Sequence, residues 1–160
     1  MSAEKYFSIL KTDHKFVELS REELTEILSF CEVEIYKKGE DIIREGEQGD
    51  KLYIIVEGEV GVSKIISNQV VFFITTLKAG EVFGEMAIIS DYPRSANAFA
   101  KTDTTLLYLS KDAFKKIKSD NQMLFGKLSY ILSKVLAERL YKIEERIKNI
   151  LKATLTQEII

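Results

Sequence analysis

The chain has very few of the residues from which disulfides and metal centres are built. Its 160 residues include one cysteine, one histidine and one proline. A single cysteine, Cys31, cannot form a disulfide within the chain, and there is no CxxC pair. Metal enzymes built on β-barrels need several histidine and carboxylate ligands, whereas His14 is the only imidazole. We therefore expect no metal.

Long apolar runs are also missing. No stretch approaches the roughly 18 apolar residues of a membrane-spanning helix, and residues 1–5 lack the apolar core of a signal peptide. The chain has no P-loop, no GxSxG turn and no cysteine–histidine pair in a catalytic context. These absences predict a cytoplasmic protein that has no membrane span and no enzyme activity of its own.

The charges are divided unevenly along the chain, although the formal net charge is only −2. Residues 1–109 contain 12 Lys and Arg against 19 Asp and Glu, whereas residues 110–160 contain 11 against 6. The simpler interpretation of the basic part is a lysine-rich helix face in water. A surface for an acidic partner or a membrane is the alternative.

The first two thirds of the chain indicate helices followed by short strands. Residues 4–32 show helical spacing of apolar residues, with Cys31 as a buried structural thiol in that pattern. Ser20 and Glu23 form a capping box at the start of the second helix. Further along, glycines separate short β-rich runs, which predicts an all-β sandwich or barrel. The predicted strands are 33–36, 41–44, 51–56, 60–66, 70–77, 97–100 and 104–109.

Residues 110–160 return to a helical pattern. Ser110 is a predicted N-cap for a helix over 111–118, a break follows at 119–121, and a long helix runs from about 122 to at least 150. We expect its first half, to about Leu132, to pack on the barrel. The second half repeats apolar residues at intervals of four and three, as in a coiled coil, over about two heptads. This part could pack on the barrel or on a partner helix: Leu136, Leu140, Ile143, Ile147 and Ile150.

The most informative segment is residues 83–97, FGEMAIISDYPRSAN. Arg94 can present a fork of donors to two phosphate oxygens. Glu85 can only accept a hydrogen bond, from a hydroxyl or an amide. Together they suit a small phosphate ester that carries a sugar hydroxyl. Small residues, which let backbone amides approach an anion closely, stand nearby: Gly84, Ala87 and Ala96.

This segment closely resembles the phosphate-binding cassette of cyclic nucleotide-binding domains, which reads F-G-E-aliphatic-A-aliphatic and then P-R-small-A. Residues 45–60, EGEQGDKLYIIVEGEV, resemble the glycine turn and paired strands of the same family. Residues 38–40 resemble the opening turn of that family. Two independent motifs in the family's order make a chance match improbable.

The resemblance covers roughly residues 5–150 and implies a mainly β fold with flanking helices. That fold is an eight-stranded antiparallel β-roll (jelly-roll-like) with N-terminal helices, a short cassette helix at about 84–89 and C-terminal helices. Residues 1–120 would form the cyclic nucleotide-binding domain, and residues 121–160 a lid or dimerisation helix. The implied ligand-binding residues are Phe83, Gly84, Glu85, Met86, Ala87, Arg94, Ser95 and Ala96, with Arg94 on the phosphate and Glu85 on the ribose 2′-OH.

The choice of base depends on weaker signals. By resemblance, Ser95 touches the phosphate and can reach the 2-amino group of a syn guanine, so it suits both common nucleotides. We expect cyclic AMP rather than cyclic GMP, because resembling bacterial sensors often carry serine there and take cyclic AMP. Asn97 departs from the more usual threonine or serine. Val70, Phe72 and Phe73 could line the base pocket, although the core face of a strand is the expected role.

The mechanism implied is a population shift. Nucleotide fills the cassette, the hinge near Phe114 repacks, and the long helix moves over the base as a lid. Three kinds of protein remain open. The chain could be a free-standing sensor that acts through an unknown protein effector or a homodimer, a regulatory fragment of a cyclic nucleotide-gated channel or kinase, or a degenerate domain that acts as a protein-interaction module. A transcription regulator would need a DNA-binding domain after the long helix, and residues 151–160 are too few for one. Met1 favours the free-standing sensor.

Overall fold

The computed structural model describes residues 3–12, 15–67 and 70–157, so His14 lies outside the described residues. The helices are α1 (Ala3–Thr12), α2 (Arg21–Ser29), α3 (Met86–Ile89), α4 (Lys111–Asp120) and α5 (Gln122–Gln157). The strands are β1 (Cys31–Tyr36), β2 (Asp41–Ile43), β3 (Lys51–Glu57), β4 (Glu59–Ser67), β5 (Val70–Lys78), β6 (Val82–Phe83), β7 (Asn97–Ala100) and β8 (Thr104–Ser110).

The strands of the described residues form two antiparallel sheets of four, in the orders β1-β8-β3-β6 and β2-β7-β4-β5. Every strand predicted from the sequence pattern is found within two residues of its predicted bounds. β6 has two residues, too few to show a period, and only the resemblance predicted an eighth strand. The predicted antiparallel β-roll with flanking helices is therefore confirmed.

Strand β3 is buried on both faces and separates the two parts of the core. Because successive side chains of a strand point to opposite faces, Leu52 and Ile54 join the cluster beneath the helices, whereas Tyr53 joins the cluster between the sheets. Burying an aliphatic side chain of this size stabilises the fold by about 1.5–3 kcal/mol. The Tyr53 ring stacks on Phe83 of β6 at 5.0 Å between centroids, so β3 holds the start of the segment 83–97.

Helices α2 and α4 begin with the N-capping hydrogen bonds that the sequence predicted. The Ser20 hydroxyl accepts from the Glu23 amide at 3.2 Å, and the Ser20 amide donates to the Glu23 carboxylate at 2.8 Å. This capping box is confirmed. Ser110 likewise caps α4, because its hydroxyl accepts from the Ala113 amide at 3.1 Å.

Cys31 does not lie in a helix, contrary to the prediction. Helix α2 ends at Ser29, and Cys31 begins β1, opposite Leu109 of β8. The ladder with β8 continues to the end of β1, and this non-local pairing outweighs the helical spacing of the local sequence. The residue is half-buried and not fully buried. Its thiol donates to the Ile27 carbonyl at 3.3 Å, and burial raises the pKa of the thiol to about 12.

The outer half of the β4–β5 hairpin is exposed, which corrects the expectation for three of its residues. Val70, Phe72 and Phe73 are 50–55% exposed, and they lie neither on a core face nor in a cavity wall. Strand β7 pairs with β4 only as far as Ser63. Beyond that point, among the described residues, β4 and β5 pair only with each other, so this part of the hairpin extends past the rest of its sheet.

Helix α5 divides into a buried and an exposed part. Its aliphatic residues from Leu124 to Val135 are buried in the main core, which confirms that the first half packs on the chain itself. From Leu140 onward its apolar side chains are more than half exposed, with Leu140 at 58% and Ile147 at 52%. In the described ranges no helix combines the length and apolar character needed to cross a bilayer.

Candidate functional site

A cavity of about 290 Å³ lies between the segment 83–97, the sheet that contains β4 and β5, and helix α5. The structure brings all the sequence-predicted site residues to its wall. These are Phe83, Gly84, Glu85, Met86, Ala87, Arg94, Ser95 and Ala96. Their role as ligand contacts stays a prediction.

The backbone of Arg94 is fixed by the glycine turn of the other sequence motif. The Arg94 amide donates to the Glu47 carbonyl at 2.8 Å, and the Gly46 amide donates to the Arg94 carbonyl at 2.9 Å. Asn97 also contributes, since its side-chain oxygen accepts from the Glu45 amide at 2.8 Å. The two motifs are therefore one structural unit, and the unusual asparagine holds its two halves together.

The side chain of Arg94 is a half-buried cation that faces the cavity. Its Nη1 donates to the Gly84 carbonyl at 3.1 Å, and its guanidinium carbon lies 5.9 Å from the centroid of the Tyr53 ring. Burial lowers the pKa of Arg94, although a guanidinium remains charged in proteins. Within the described part of the chain it forms no ion pair with a carboxylate. A desolvated cation of this kind favours an anionic ligand.

Two glycines make room for that guanidinium. Gly84 has φ +76°, and a Cβ there would lie 2.7 Å from Arg94 Nη1 and 2.9 Å from the Lys51 carbonyl oxygen. A Cβ at Gly49 would overlap Arg94 Nε. Larger residues at either position would therefore displace the guanidinium, and at Gly84 the backbone would also be strained.

Glu85 is almost completely buried, with 1% of its surface exposed. Its Oε1 accepts from Arg139 Nη1 of α5 at 2.5 Å. Its Oε2 is buried and has no hydrogen-bond partner among the described residues. Because more than nine in ten buried polar groups are normally hydrogen-bonded, this oxygen is an acceptor suited to a donor that arrives in the cavity.

Helix α5 supplies a set of cavity residues that the sequence analysis did not identify. Arg139 also donates to the Val82 carbonyl at 2.6 Å, and Arg146 donates to the Ile74 carbonyl at 2.8 Å. The cavity-lining residues of this helix recur at helical spacing: Val135, Glu138, Arg139, Lys142, Ile143 and Arg146. The helical spacing of these residues is visible in the sequence, but the spacing alone does not show which part of the protein this face of α5 packs against.

The remaining walls are mostly apolar and come from the β-roll. Strand β5 contributes Ile74 and Leu77 in place of the three hairpin residues considered from the sequence, and β4 contributes Val62. The cavity thus joins a cation, a buried acceptor and an apolar floor. No group of three or more His, Cys, Asp and Glu within the described ranges could hold a metal ion. The arrangement is suited to binding a small organic anion that carries a hydroxyl.

Comparison with known proteins agrees with this chemistry. A family model described as the cyclic nucleotide-binding domain matches residues 33–121. cGMP-dependent protein kinase 2 of Homo sapiens is 38% identical over 115 residues, which cover 71% of this chain and 15% of the kinase. The chain therefore spans only a small part of that relative's length.

Solved structures give the same result for the fold. A cyclic nucleotide-binding domain from Methylobacillus flagellatus superimposes with a TM-score of 0.81 at 30% identity, covering 90% of this chain and 81% of that one. The regulatory domain of Toxoplasma gondii PKA, crystallised with cAMP, superimposes with a TM-score of 0.71 at 30% identity, covering 84% of this chain and 49% of that one.

Proposed function

The chain belongs to the cyclic nucleotide-binding domain family, and from this we propose that it is a cyclic nucleotide sensor whose helix α5 is the moving lid. Domains of this family bind cyclic nucleotides and have a regulatory role, and they do not themselves catalyse a reaction. Residues 1–120 would form the binding unit, and residues 121–160 the lid. The activity of the whole protein, and the effector that it acts on, depend on what the lid contacts.

The observation that carries the proposal is the unpaired Oε2 of Glu85 in the wall that also presents Arg94. Arg94 Nη1 donates to the carbonyl of Gly84, the residue next to Glu85, so the cation and the free acceptor are close neighbours. In a 3′,5′-cyclic nucleotide the 2′-hydroxyl is adjacent to the 3′-oxygen of the phosphate ring. One rigid ligand can therefore give Arg94 its anion and Glu85 its missing donor.

The same carboxylate connects the ligand to the lid. Glu85 bonds to Arg139, and Arg146 two turns later bonds to strand β5. A ribose hydroxyl that donates to Glu85 would share the carboxylate that now pairs with Arg139. A base lying on the apolar wall of the cavity would become part of the surface against which α5 packs. The exposed stripe beyond Leu140 offers α5 an alternative packing, for which we propose a second copy of the chain.

Amide hydrogen exchange tests the lid. Binding should change the protection of residues 136–155 more than that of the β-roll strands, because the strands are held in antiparallel ladders between residues distant in sequence. Equal protection of 136–155 with and without nucleotide would contradict the switch while leaving the binding site intact. Sedimentation at several protein concentrations tests the dimer separately.

The nucleotide base remains to be assigned by experiment. Serine at position 95 favours cyclic AMP as the sequence-based expectation. The named relatives do not decide between the two, because one is a cGMP-dependent kinase and one solved neighbour holds cAMP. Both nucleotides therefore belong in the first titration.

Titration calorimetry with cyclic AMP and cyclic GMP tests the phosphate contact. A charge-assisted hydrogen bond contributes about 1.5–3 kcal/mol, so Arg94→Ala should weaken binding of both nucleotides at least about tenfold. Arg94→Lys should also weaken it, since a point charge lacks the two-donor fork. Arg44→Ala is the matched control, because Arg44 does not line the cavity and its ion pair in the described ranges is with nearby Asp41. Wild-type affinity in Arg94→Ala would refute the site.

The ribose contact has its own test. The 2′-deoxy nucleotide should bind the wild type more weakly, and this deoxy penalty should largely disappear in Glu85→Gln. Equal affinities of the wild type for the ribo and deoxy ligands would remove Glu85 from the site.

A further inference from the structure

The outer half of the β4–β5 hairpin carries a large exposed apolar surface. Six bulky aliphatic and aromatic side chains of this hairpin are between 50% and 64% exposed. They are Ile65, Ile66, Val70, Val71, Phe72 and Phe73. Single exposed apolar residues are ordinary on a protein surface, whereas a contiguous patch of them marks a site of interaction with a partner or a membrane.

The exposed side chains lie on both faces of the hairpin. β5 pairs with β4 at each position from Val71 to Phe73, and successive side chains of a strand point to opposite faces. Phe72 therefore lies on one face, and Val71 and Phe73 lie on the other. A flat protein partner would cover one of these faces and leave the other in water. A lipid interface surrounds a protruding hairpin and can cover both.

The hairpin also differs from its surroundings in charge. Residues 60–80 contain no Asp or Glu, whereas residues 1–109 as a whole contain 19. Acidic side chains on the hairpin would be repelled by anionic lipid headgroups. Their absence from the whole hairpin sequence favours approach to an anionic surface.

Three cations lie at the base of the hairpin, where it leaves the sheet. Lys64 is opposite Phe72 in the β4–β5 ladder, and the Lys101 ammonium lies 5.9 Å from the centroid of the Phe73 ring. Arg146 of α5 donates to the carbonyl of the next residue of β5 at 2.8 Å. The two lysines have carboxylate partners at 3.2 and 3.6 Å, but their side chains remain 46% and 38% exposed. The apolar part of the hairpin thus has a basic collar that complements an anionic bilayer.

We propose that the β4–β5 hairpin is a membrane-binding element that inserts its apolar part into the interface of an anionic bilayer and places the collar at the headgroups. From Val70 to Phe73 the strand rises about 10 Å, which matches the roughly 5–10 Å to which interfacial elements are buried. Insertion stays shallow, because the outer strand edges carry backbone groups that need water or headgroups as partners. Lysine and arginine can reach headgroups while their aliphatic stems stay on apolar surface. This inference does not depend on nucleotide binding.

Flotation with lipid vesicles in the absence of nucleotide tests the proposal. The wild type should float with phosphatidylcholine vesicles that contain about one quarter phosphatidylserine, and less with phosphatidylcholine alone. High salt should weaken binding to the anionic vesicles, because it screens the collar. Phe72→Ser and Phe73→Ser should each lower partitioning at least about fivefold, because each removes apolar surface that the lipid would bury. Lys101→Gln should weaken binding to the anionic vesicles only.

Tyr130→Ser is the matched control, because Tyr130 is an aromatic residue with a similar exposure of 56%. It lies 16 residues before Arg146 on α5, about 24 Å along the helix axis from the residue that contacts the hairpin. This variant should float like the wild type. Urea unfolding checks that all the variants are folded, which the exposure of the substituted side chains leads us to expect.

Three results would overturn the inference. The first is no flotation of the wild type with anionic vesicles, and the second is wild-type flotation of both Phe72→Ser and Phe73→Ser. The third is a loss in only one of these two variants, which would assign a single face of the hairpin to a flat protein partner. That partner would be a second copy of the chain if sedimentation of the wild type depends on protein concentration and the same variant abolishes this dependence.

Discussion

The pair formed by Glu85 and Arg139 offers the sharpest test of how α5 is held over the cavity. Glu85 is 1% exposed and bonds only through Oε1, and the side chain of Arg139 is 36% exposed. Arg139→Gln removes the only cation paired with this carboxylate in the described residues, so a buried charge is left without compensation. We expect the variant to be clearly less stable than the wild type in the absence of nucleotide.

The magnitude follows from burial. Removing one partner of a buried ion pair typically costs about 3–5 kcal/mol. Because the Arg139 side chain is partly exposed and its charge is screened by water, we expect about 1–3 kcal/mol here. In a Glu85→Gln background no buried charge remains, and the same Arg139→Gln change should cost less than about 1 kcal/mol. The coupling energy between the two positions should thus be at least about 1 kcal/mol.

Urea unfolding of the wild type, both single variants and the double variant at pH 7 measures this coupling. Lys148→Gln serves as the control, since it removes an exposed charge, paired with Glu145, from the same helix outside the cavity. Equal free energies of unfolding for Arg139→Gln and Lys148→Gln, or additive effects in the double variant, would show that the pair does not hold α5 in solution.

Two further outcomes follow from packing. Gly49→Ala should displace Arg94 and weaken nucleotide binding severalfold in calorimetry, and unchanged binding would contradict the placement of the guanidinium. A Cβ at Gly126 meets nothing within 4 Å. Gly126→Ala should therefore leave binding unchanged and stabilise α5 by about 0.5–1 kcal/mol in urea unfolding. Burial raises the pKa of the Cys31 thiol from 9.0 to about 12. Ellman's reagent at pH 8 should therefore label the native protein roughly a thousandfold more slowly than the unfolded chain. The stability associated with the neutral thiol should be lost as the pH rises from about 9 towards 12. Equally rapid labelling of both forms would refute the burial.

Local structure was predicted correctly where residues close together in the sequence determine it. The capping box at Ser20 depends on residues three apart, and the hairpins depend on strands joined by short turns, so both were predictable. Cys31 and the hairpin residues around Phe72 were misassigned because their environment is set by distant strands. β8 pairs with Cys31, and β7 stops short of the outer hairpin.

The sequence by itself determined the chemistry of the cavity, because Gly84, Glu85 and Arg94 lie in one short segment whose turn fixes their relative positions. Only the tertiary structure decided what covers that segment. Asn121 directly precedes helix α5. Its side-chain amide donates to the Glu26 carboxylate of α2 at 3.0 Å, and this contact between distant residues helps to set the direction of the helix across the cavity. Arg139 reaches Glu85 across 54 positions of sequence, and no local period specifies such a meeting, because it depends on how helices and sheets pack.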